Sequence, residues 1–272
     1  MSVTVAVIGH VEWVTHARGR MPQAGEITHL VDPFDEPAGG GAVVASQVAA
    51  LGERCLFYTA LGDDRTGQRC AGVLGDRGVD LQAVRHPIPQ PRALSVSDAD
   101  GERAIAVVGE GLGPTADDPL PWRLLGECDA AYFTGHDPDP LRAARAARIL
   151  VVRARRAPVL ARAGVVADVV VGSATDAAEQ IPEGLLEHPP TVRVVTEGED
   201  GGRYVTADGR AGRWAASAPS GPPVDSYGCG DGFAAGLTVG LARGLELDAA
   251  LALRARCGAQ RISVRGAFGE IA

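Results

Sequence analysis

Residues Val224 to Leu237 carry the densest chemistry in the chain, reading Val-Asp-Ser-Tyr-Gly-Cys-Gly-Asp-Gly-Phe-Ala-Ala-Gly-Leu. Gly228, Cys229 and Gly230 lead into Asp231. An apolar helical pattern follows, with Phe233, Leu237 and Leu241 recurring every four residues. A glycine-rich turn feeding a helix start collects backbone N–H groups at the positive end of the helix dipole, a setting for a phosphate group. Asp231 puts a carboxylate into that setting. A carboxylate is a poor partner for an anion but a good base for a hydroxyl that attacks one. Cradle plus base points to phosphoryl transfer. For the bare spacing, a tight turn with a capping Asp is the alternative.

The elements that would position these groups are legible in outline. Val3 to Ile8, Cys55 to Leu61, Ala130 to Phe133, Ile149 to Val152, Val169 to Val171 and Val192 to Thr196 are short, nearly continuous apolar runs, as central strands of a parallel sheet should be. Helical stretches lie between them: Ala42 to Leu51, Gly67 to Leu74, Leu141 to Arg148 and Leu237 to Arg254. In the first, Val44, Val48 and Leu51 share one face and Gly52 supplies a stop. Repeated β-α units imply an α/β fold with a mostly parallel sheet covered by helices on both sides. Two segments break the pattern. Residues 13–37 are polar with Pro and Gly, and residues 92–109 alternate like a hairpin around Asp98-Ala99-Asp100-Gly101.

Asp225-Ser226-Tyr227-Gly228-Cys229-Gly230-Asp231 resembles the C-terminal signature of the PfkB (ribokinase-like) sugar and nucleoside kinases, usually Asp-Thr-x-Gly-Ala-Gly-Asp. Agreement is at Asp225, Gly228, Gly230 and Asp231, with Ser226 and Cys229 as small substitutes. Four further segments resemble the family's pieces in the family's order. They are Gly39-Gly40-Gly41-Ala42 through Leu51-Gly52, Leu61-Gly62-Asp63-Asp64 with Gly67, Asp100-Gly101-Glu102-Arg103, and Thr196-Glu197-Gly198-Glu199-Asp200-Gly201. Together they span nearly the whole chain.

The resemblance implies a single ribokinase-like domain over residues 1–272. It would be a three-layer αβα sandwich with a mostly parallel central sheet and a small β lid built from residues 13–37 and 92–109. It implies ATP and magnesium as cofactors and a small hydroxyl compound, sugar or sugar-like, as acceptor. Asp231 would be the base, and the amides of Gly228, Cys229, Gly230 and Asp231 would hold the migrating phosphoryl group. Thr196, Gly198 and Gly201 match the nucleotide motif. Asp225 matches a position tied to a monovalent cation and loop order, with a turn-capping Asp as the alternative. Where the family has Asn-x-x-Glu for magnesium, this chain has Ser173 and Asp176, with Glu179 as a second carboxylate; a capped helix start is the other reading. The lid of the family often mediates dimerisation, so a homodimer is expected.

The acceptor side departs from the family. Val14 stands where a sugar-gripping Asp is usual, leaving Glu12 as the nearest carboxylate. Gly39, Gly40 and Gly41 would line the acceptor, but Val43 replaces an Asn that reaches it. Apolar side chains cannot supply paired hydrogen bonds to a polar sugar. Trp13 could stack on a ring or belong to the core. The altered pocket also admits a non-catalytic ligand-binding or regulatory protein on the same fold, against which the intact Asp231 speaks.

Composition excludes other chemistries. The chain has 272 residues and a net charge of −8, so no basic face for nucleic acid is expected. All 26 basic residues are arginine, so a Walker lysine and a Schiff-base lysine are both excluded. Five scattered cysteines without a Cys-x-x-Cys argue against a disulfide framework or zinc site and suit a reducing cytoplasm. No run is apolar enough to cross a membrane, and the N-terminus reads as a first strand rather than a signal peptide. His10, His16 and His29 form no His-Glu-x-x-His pattern, no Gly-x-Ser-x-Gly elbow is present, and Gly9-His10-Val11-Glu12 is no dinucleotide-binding turn. The arginine-rich stretch from Arg142 to Arg162 reads as a solvated helix surface from which one arginine could reach a phosphate.

Overall fold

The computed structural model describes residues 2–99, 101–219, 221–222, 224–252 and 262–268. Its strands in chain order are β1 (Thr4–Ile8), β2 (Glu12–Arg18), β3 (Val31–Ala38), β4 (Arg54–Gly62), β5 (Asp80–His86), β6 (Arg92–Ser97), β7 (Arg103–Val108), β8 (Ala130–Phe133), β9 (Leu150–Arg153), β10 (Val169–Ser173), β11 (Val192–Thr196), β12 (Gly202–Thr206) and β13 (Ala211–Trp214). The helices are α1 (Gly40–Ala50), α2 (Arg65–Asp76), α3 (Pro138–Ala144), α4 (Ala157–Ala163) and α5 (Cys229–Ala242).

Nine strands form one sheet in the order β13-β12-β11-β10-β9-β8-β1-β4-β5. From β11 to β5 every pairing is parallel, while β12 and β13 add an antiparallel edge. Alternate residues along each central strand feed opposite faces. Val5, Val7, Phe57, Tyr132 and Val151 join a core with α1 and α5, whereas Ala6, Ile8, Tyr58, Phe133 and Val152 join a second core with Leu141 of α3 and Leu160 of α4. A sheet buried on both faces explains why its strands read as unbroken apolar runs. The result is the three-layer sandwich expected.

The two segments that broke the pattern supply a second sheet in the order β3-β2-β6-β7, with β2 and β6 parallel and the outer pairs antiparallel. Asp100, in the expected hairpin turn, lies outside the described residues.

Three helical expectations change. The helix expected over 141–148 is α3, which begins at Pro138 and ends at Ala144. The stretch expected as one helix over 237–254 is broken: α5 ends at Ala242, Gly244 adopts a φ of 76°, and helix resumes at Leu247, with residues 253–254 outside the described residues. The left-handed Gly244 lets its N–H bond to Leu241 O and that of Leu245 to Gly240 O, which closes the helix end. The arginine-rich stretch is not one helix surface. It runs through α3, strand β9 and α4, so its members face different surroundings.

Candidate active site

Chain order reverses at β1. From there β4 and β5 are laid down on one side and β8 to β11 on the other. The crevice beyond the C-terminal ends of β1 and β8 is therefore where a ligand of such a sheet should sit. Gly9 and His10 leave β1 there, and Thr134, Gly135 and His136 leave β8.

Asp231 lies in the first turn of α5. Gly228, with φ of 76°, turns the chain into the helix, and Gly232 N–H donates to Gly228 O at 2.7 Å. The cradle expected over 228–231 is reduced by one, because Cys229 N–H is committed to Ser226 O at 3.3 Å. The amides of Gly228, Gly230 and Asp231 have no backbone partner among the described residues.

Asp225 organises this loop. It is 3% exposed. Its Oδ1 accepts from Ser97 Oγ at 3.1 Å and Tyr227 N–H at 2.9 Å, and its Oδ2 from Gly266 N–H at 3.1 Å. Protein donors thus engage both oxygens, two on Oδ1 and one on Oδ2. The hairpin of the small sheet grips the same loop: Arg103 Nη1 donates to Ser226 O at 2.8 Å, and Ser226 N–H donates to Gly101 O at 3.3 Å.

A residue that the sequence left unassigned sits at the centre. Arg153, the last residue of β9, contacts Asp231 Oδ1 through Nη1 and Glu179 Oε1 through Nε at 2.6 Å. Burial works to lower the pKa of this guanidinium, but the carboxylates of Asp231 and Glu179 outweigh it and hold the pKa well above the ordinary arginine value. Asp231 Oδ2 has no partner among the described residues.

The two candidate metal carboxylates are both engaged. Glu179, 5% exposed, receives Arg153 on Oε1 and the Ser173 N–H on Oε2 at 2.8 Å. Asp176 caps the turn at residues 177–179 through Ala178 N–H at 2.9 Å and pairs with Arg155. These residues do not fit direct coordination of a magnesium ion, and among the described residues no three His, Cys, Asp or Glu side chains group as a metal site.

On the acceptor side, Gly39 has φ of 89° and donates its N–H to Tyr227 OH at 3.3 Å, while Gly40 N–H donates to His10 Nε2 at 3.4 Å. A methyl group on Gly40 would lie 3.7 Å from both Arg153 Nη1 and Asp231 Oδ1. The glycine turn and the Asp231 carboxylate thus face each other closely. One on Gly41 would lie 2.9 Å from backbone atoms of Gly9 and His10, which only glycine tolerates. Val14 and Val43 are fully buried. Trp13 belongs to the core, its ring covered by the Arg69 guanidinium at 4.3 Å. Glu12 opens β2 with Oε1 4.0 Å from His10 Nε2, and burial raises its pKa. His10 is held neutral: burial, then Arg156, His136 and Arg153, push its pKa down to about 3.

Thr196 ends β11, and its carbonyl accepts from Ala174 N–H at 2.8 Å. Gly198 and Gly201 bracket the short turn that follows, with φ of 61° and 85°. A side chain on Gly201 would strike Trp214 O, so this glycine is required by packing as well. Beyond the turn, Tyr204, Arg213, Trp214, Asp248 and Leu251 line a groove. Its walls come from the edge hairpin β12–β13, for which no strand was expected, and from the helical turn beyond the Gly244 break.

The sequence profile described as pfkB family carbohydrate kinase matches residues 4–270. The chain is 26% identical over 283 residues to an ATP-dependent ribose-1-phosphate kinase of Halopiger xanaduensis, covering 97% of this chain and 94% of that one. It is 26% identical over 269 residues to an aminoimidazole riboside kinase of Salmonella typhimurium, covering 85% and 83%. The fold is similar to that of an Arabidopsis thaliana ribokinase solved with ribose and ATP, with a TM-score of 0.77 at 19% identity over 98% of this chain and 94% of that one.

Proposed function

The chain belongs to the pfkB family of carbohydrate kinases, and on that footing we propose that it transfers the γ-phosphoryl group of ATP to a hydroxyl of a small sugar-like acceptor, with Asp231 as general base. The observation that carries this reading is the position of Asp231 in the first turn of α5, against the Gly39–Gly41 turn. The acceptor oxygen forms its bond to γ-phosphorus as the bond from γ-phosphorus to the leaving oxygen of ADP breaks. Asp231 Oδ2 takes the hydroxyl proton. The amides of Gly228, Gly230 and Asp231 stabilise charge on the moving phosphoryl group, where one well-placed donor contributes about 3 kcal/mol.

Thr196, Gly198 and Gly201 are assigned to the nucleotide side, since parallel sheets bind ligands at their C-terminal strand ends. Magnesium would enter on the nucleotide phosphates. Asp176 and Glu179 would reach it only after exchanging their guanidinium partners.

The small sheet acts as a lid over the acceptor in this reading, and residues 1–272 form one domain. Val31 on β3 and Ile105, Val107 and Val108 on β7 are exposed apolar side chains at the edges of that sheet, which supports homodimer formation there. Cys55, Cys70 and Cys128 are buried free thiols, which suits the cytoplasm. Both curated relatives are named for ribose derivatives, so a ribose-like acceptor is the first to try. The Arg153 contact on Asp231 is the one observation that favours a non-catalytic binding protein.

ADP release from Mg–ATP across pentoses, hexoses, nucleosides and sugar phosphates tests the reading, with Asp231→Ala alongside. Turnover of one acceptor that falls by roughly 10²–10⁴-fold in the variant is expected. A variant within about tenfold of the unaltered chain overturns the assignment of the base.

A further inference from the structure

We infer that Arg153 is a second catalytic residue: its guanidinium, masked by Asp231 in the resting site, meets the charge of the moving phosphoryl group as Asp231 takes the proton. The rate step of this inference rests on the kinase reading above; the binding step does not.

Arg153 stands where three parts of the site meet. Its Nη1 contacts Asp231 Oδ1, and its Nε donates to Glu179 Oε1 at 2.6 Å. Among the described residues, Nη2 has no carboxylate or carbonyl acceptor. It lies 4.0 Å from the point where a methyl group on Gly230 would stand. Nη1 lies 3.7 Å from the corresponding point on Gly40. The guanidinium thus borders both the open amide of Gly230 and the glycine turn on the acceptor side. Its side chain keeps 21% of its surface exposed, against 4% for Glu179, so it can be reached from the crevice. The Tyr132 hydroxyl beside it stays neutral, its pKa raised by burial, and offsets none of its charge.

The chain has no lysine, and Asp176 and Glu179 are both held by arginines. The fixed positive charge beside the open amides is therefore a guanidinium. In the resting site two carboxylates balance it, so a nucleotide meets little of its attraction. The acceptor oxygen then bonds to γ-phosphorus, the bond to the leaving oxygen of ADP breaks, and the hydroxyl proton passes to Asp231 Oδ2. Asp231 becomes neutral and its hold on Nη1 weakens. The guanidinium now faces the phosphoryl oxygens while Glu179 still orients it, and its planar fork suits them. Its own proton stays in place, because its pKa is held well above the ordinary arginine value. An interaction that strengthens only at that moment lowers the barrier without tightening nucleotide binding. On this reading the contact between Arg153 and Asp231 belongs to the machinery and does not block it.

The test compares proteins that all carry Glu179→Gln, so that no buried carboxylate loses its partner when Arg153 is changed. Asp231→Asn imitates the protonated base. Nitrate, planar like the phosphoryl group in flight, is the probe. Calorimetric titration with Mg–ADP should show nitrate tightening its binding roughly 10-fold in the Asp231→Asn protein. The effect should stay within about twofold where Asp231 is intact, and where Arg153→Gln is added to Asp231→Asn. Arg153→Lys should keep part of it. No effect of nitrate on the Asp231→Asn protein overturns the inference, and so does an equal effect with and without Arg153.

Initial rates supply the second readout. Arg153→Gln should lower kcat by roughly 10²-fold while the nucleotide KM stays within about threefold. The loss should shrink to less than about tenfold in an Asp231→Ala background, because the two residues act in one step. Turnover as fast as in the parent, or faster, overturns the inference and leaves the kinase reading standing. Nitrate tightening that requires Arg153, with no acceptor turned over by the unaltered chain, sinks the kinase reading and leaves the binding step standing.

Discussion

Arg153 joins Asp231 to Glu179, so the proposed base and a buried carboxylate from a different loop share one guanidinium. Removing that guanidinium leaves two carboxylates facing each other with little water between them. Arg153→Gln should therefore cost about 3 kcal/mol of stability. Adding Glu179→Gln to it should cost less than the sum of the two single changes. Urea unfolding of the four proteins gives the coupling; strict additivity would mean that the bridge contributes nothing.

Asp231→Ala should lower kcat by roughly 10²–10⁴-fold. Nucleotide affinity should stay within about threefold, because Thr196, Gly198 and Gly201 lie on other strands and turns. Initial rates with the best acceptor and a nucleotide titration check both halves.

The glycine turn separates packing from ligand space. Gly41→Ala would press on Gly9 and His10 backbone and should destabilise the fold by roughly 1–3 kcal/mol. Gly40→Ala meets no atom closer than 3.3 Å and should leave stability nearly unchanged while raising the acceptor KM. Thermal melting and acceptor kinetics of the pair should therefore diverge in opposite senses.

His10 gives an acid-side stability slope. Its folded pKa, pushed to about 3 chiefly by burial, lies below its unfolded value near 6.5. Between those values the unfolded chain binds a proton that the folded chain refuses, so stability falls as pH falls through that window. The loss between pH 6.5 and 5 is up to about 2 kcal/mol. Urea midpoints at the two pH values should show a shallower drop in His10→Gln.

Sequence reading worked where burial is uniform. Apolar runs such as Val192 to Thr196 reveal parallel strands because both faces are covered, and several of the spaced glycines, Gly39, Gly62 and Gly201 among them, sit at or beside strand ends. It failed at the edges. β5 is intermediate in burial with Gln82 and Arg85 in its run, and so lacks a strand signature. In the centre of the sheet, β9 was legible as Ile149 to Val152, but Arg153 at its end fell within an arginine-rich stretch read as helix surface, which hid its reach into the site. Nothing in the spacing of Arg153 relative to Asp231 foretells their contact, which depends on β9 and α5 meeting in space. Trp13 was ambiguous in sequence because a ring that stacks on a ligand and one that stacks on Arg69 leave the same trace.

The seam between β2 and β6 has a consequence for how the molecule comes into being. Trp13 lies beside Arg92, with the whole β3–α1–β4–α2–β5 run threaded between them. Contacts so distant along the chain form slowly, since loop closure precedes any gain. Asp225 then has to find Ser97 and Gly266 before the base loop is held. The loop carrying Asp231 depends on the small sheet through the Asp225–Ser97 bond, so catalytic competence should be the last trait acquired. During refolding, far-UV ellipticity should recover ahead of enzymatic activity, and simultaneous recovery would contradict that sequence of events.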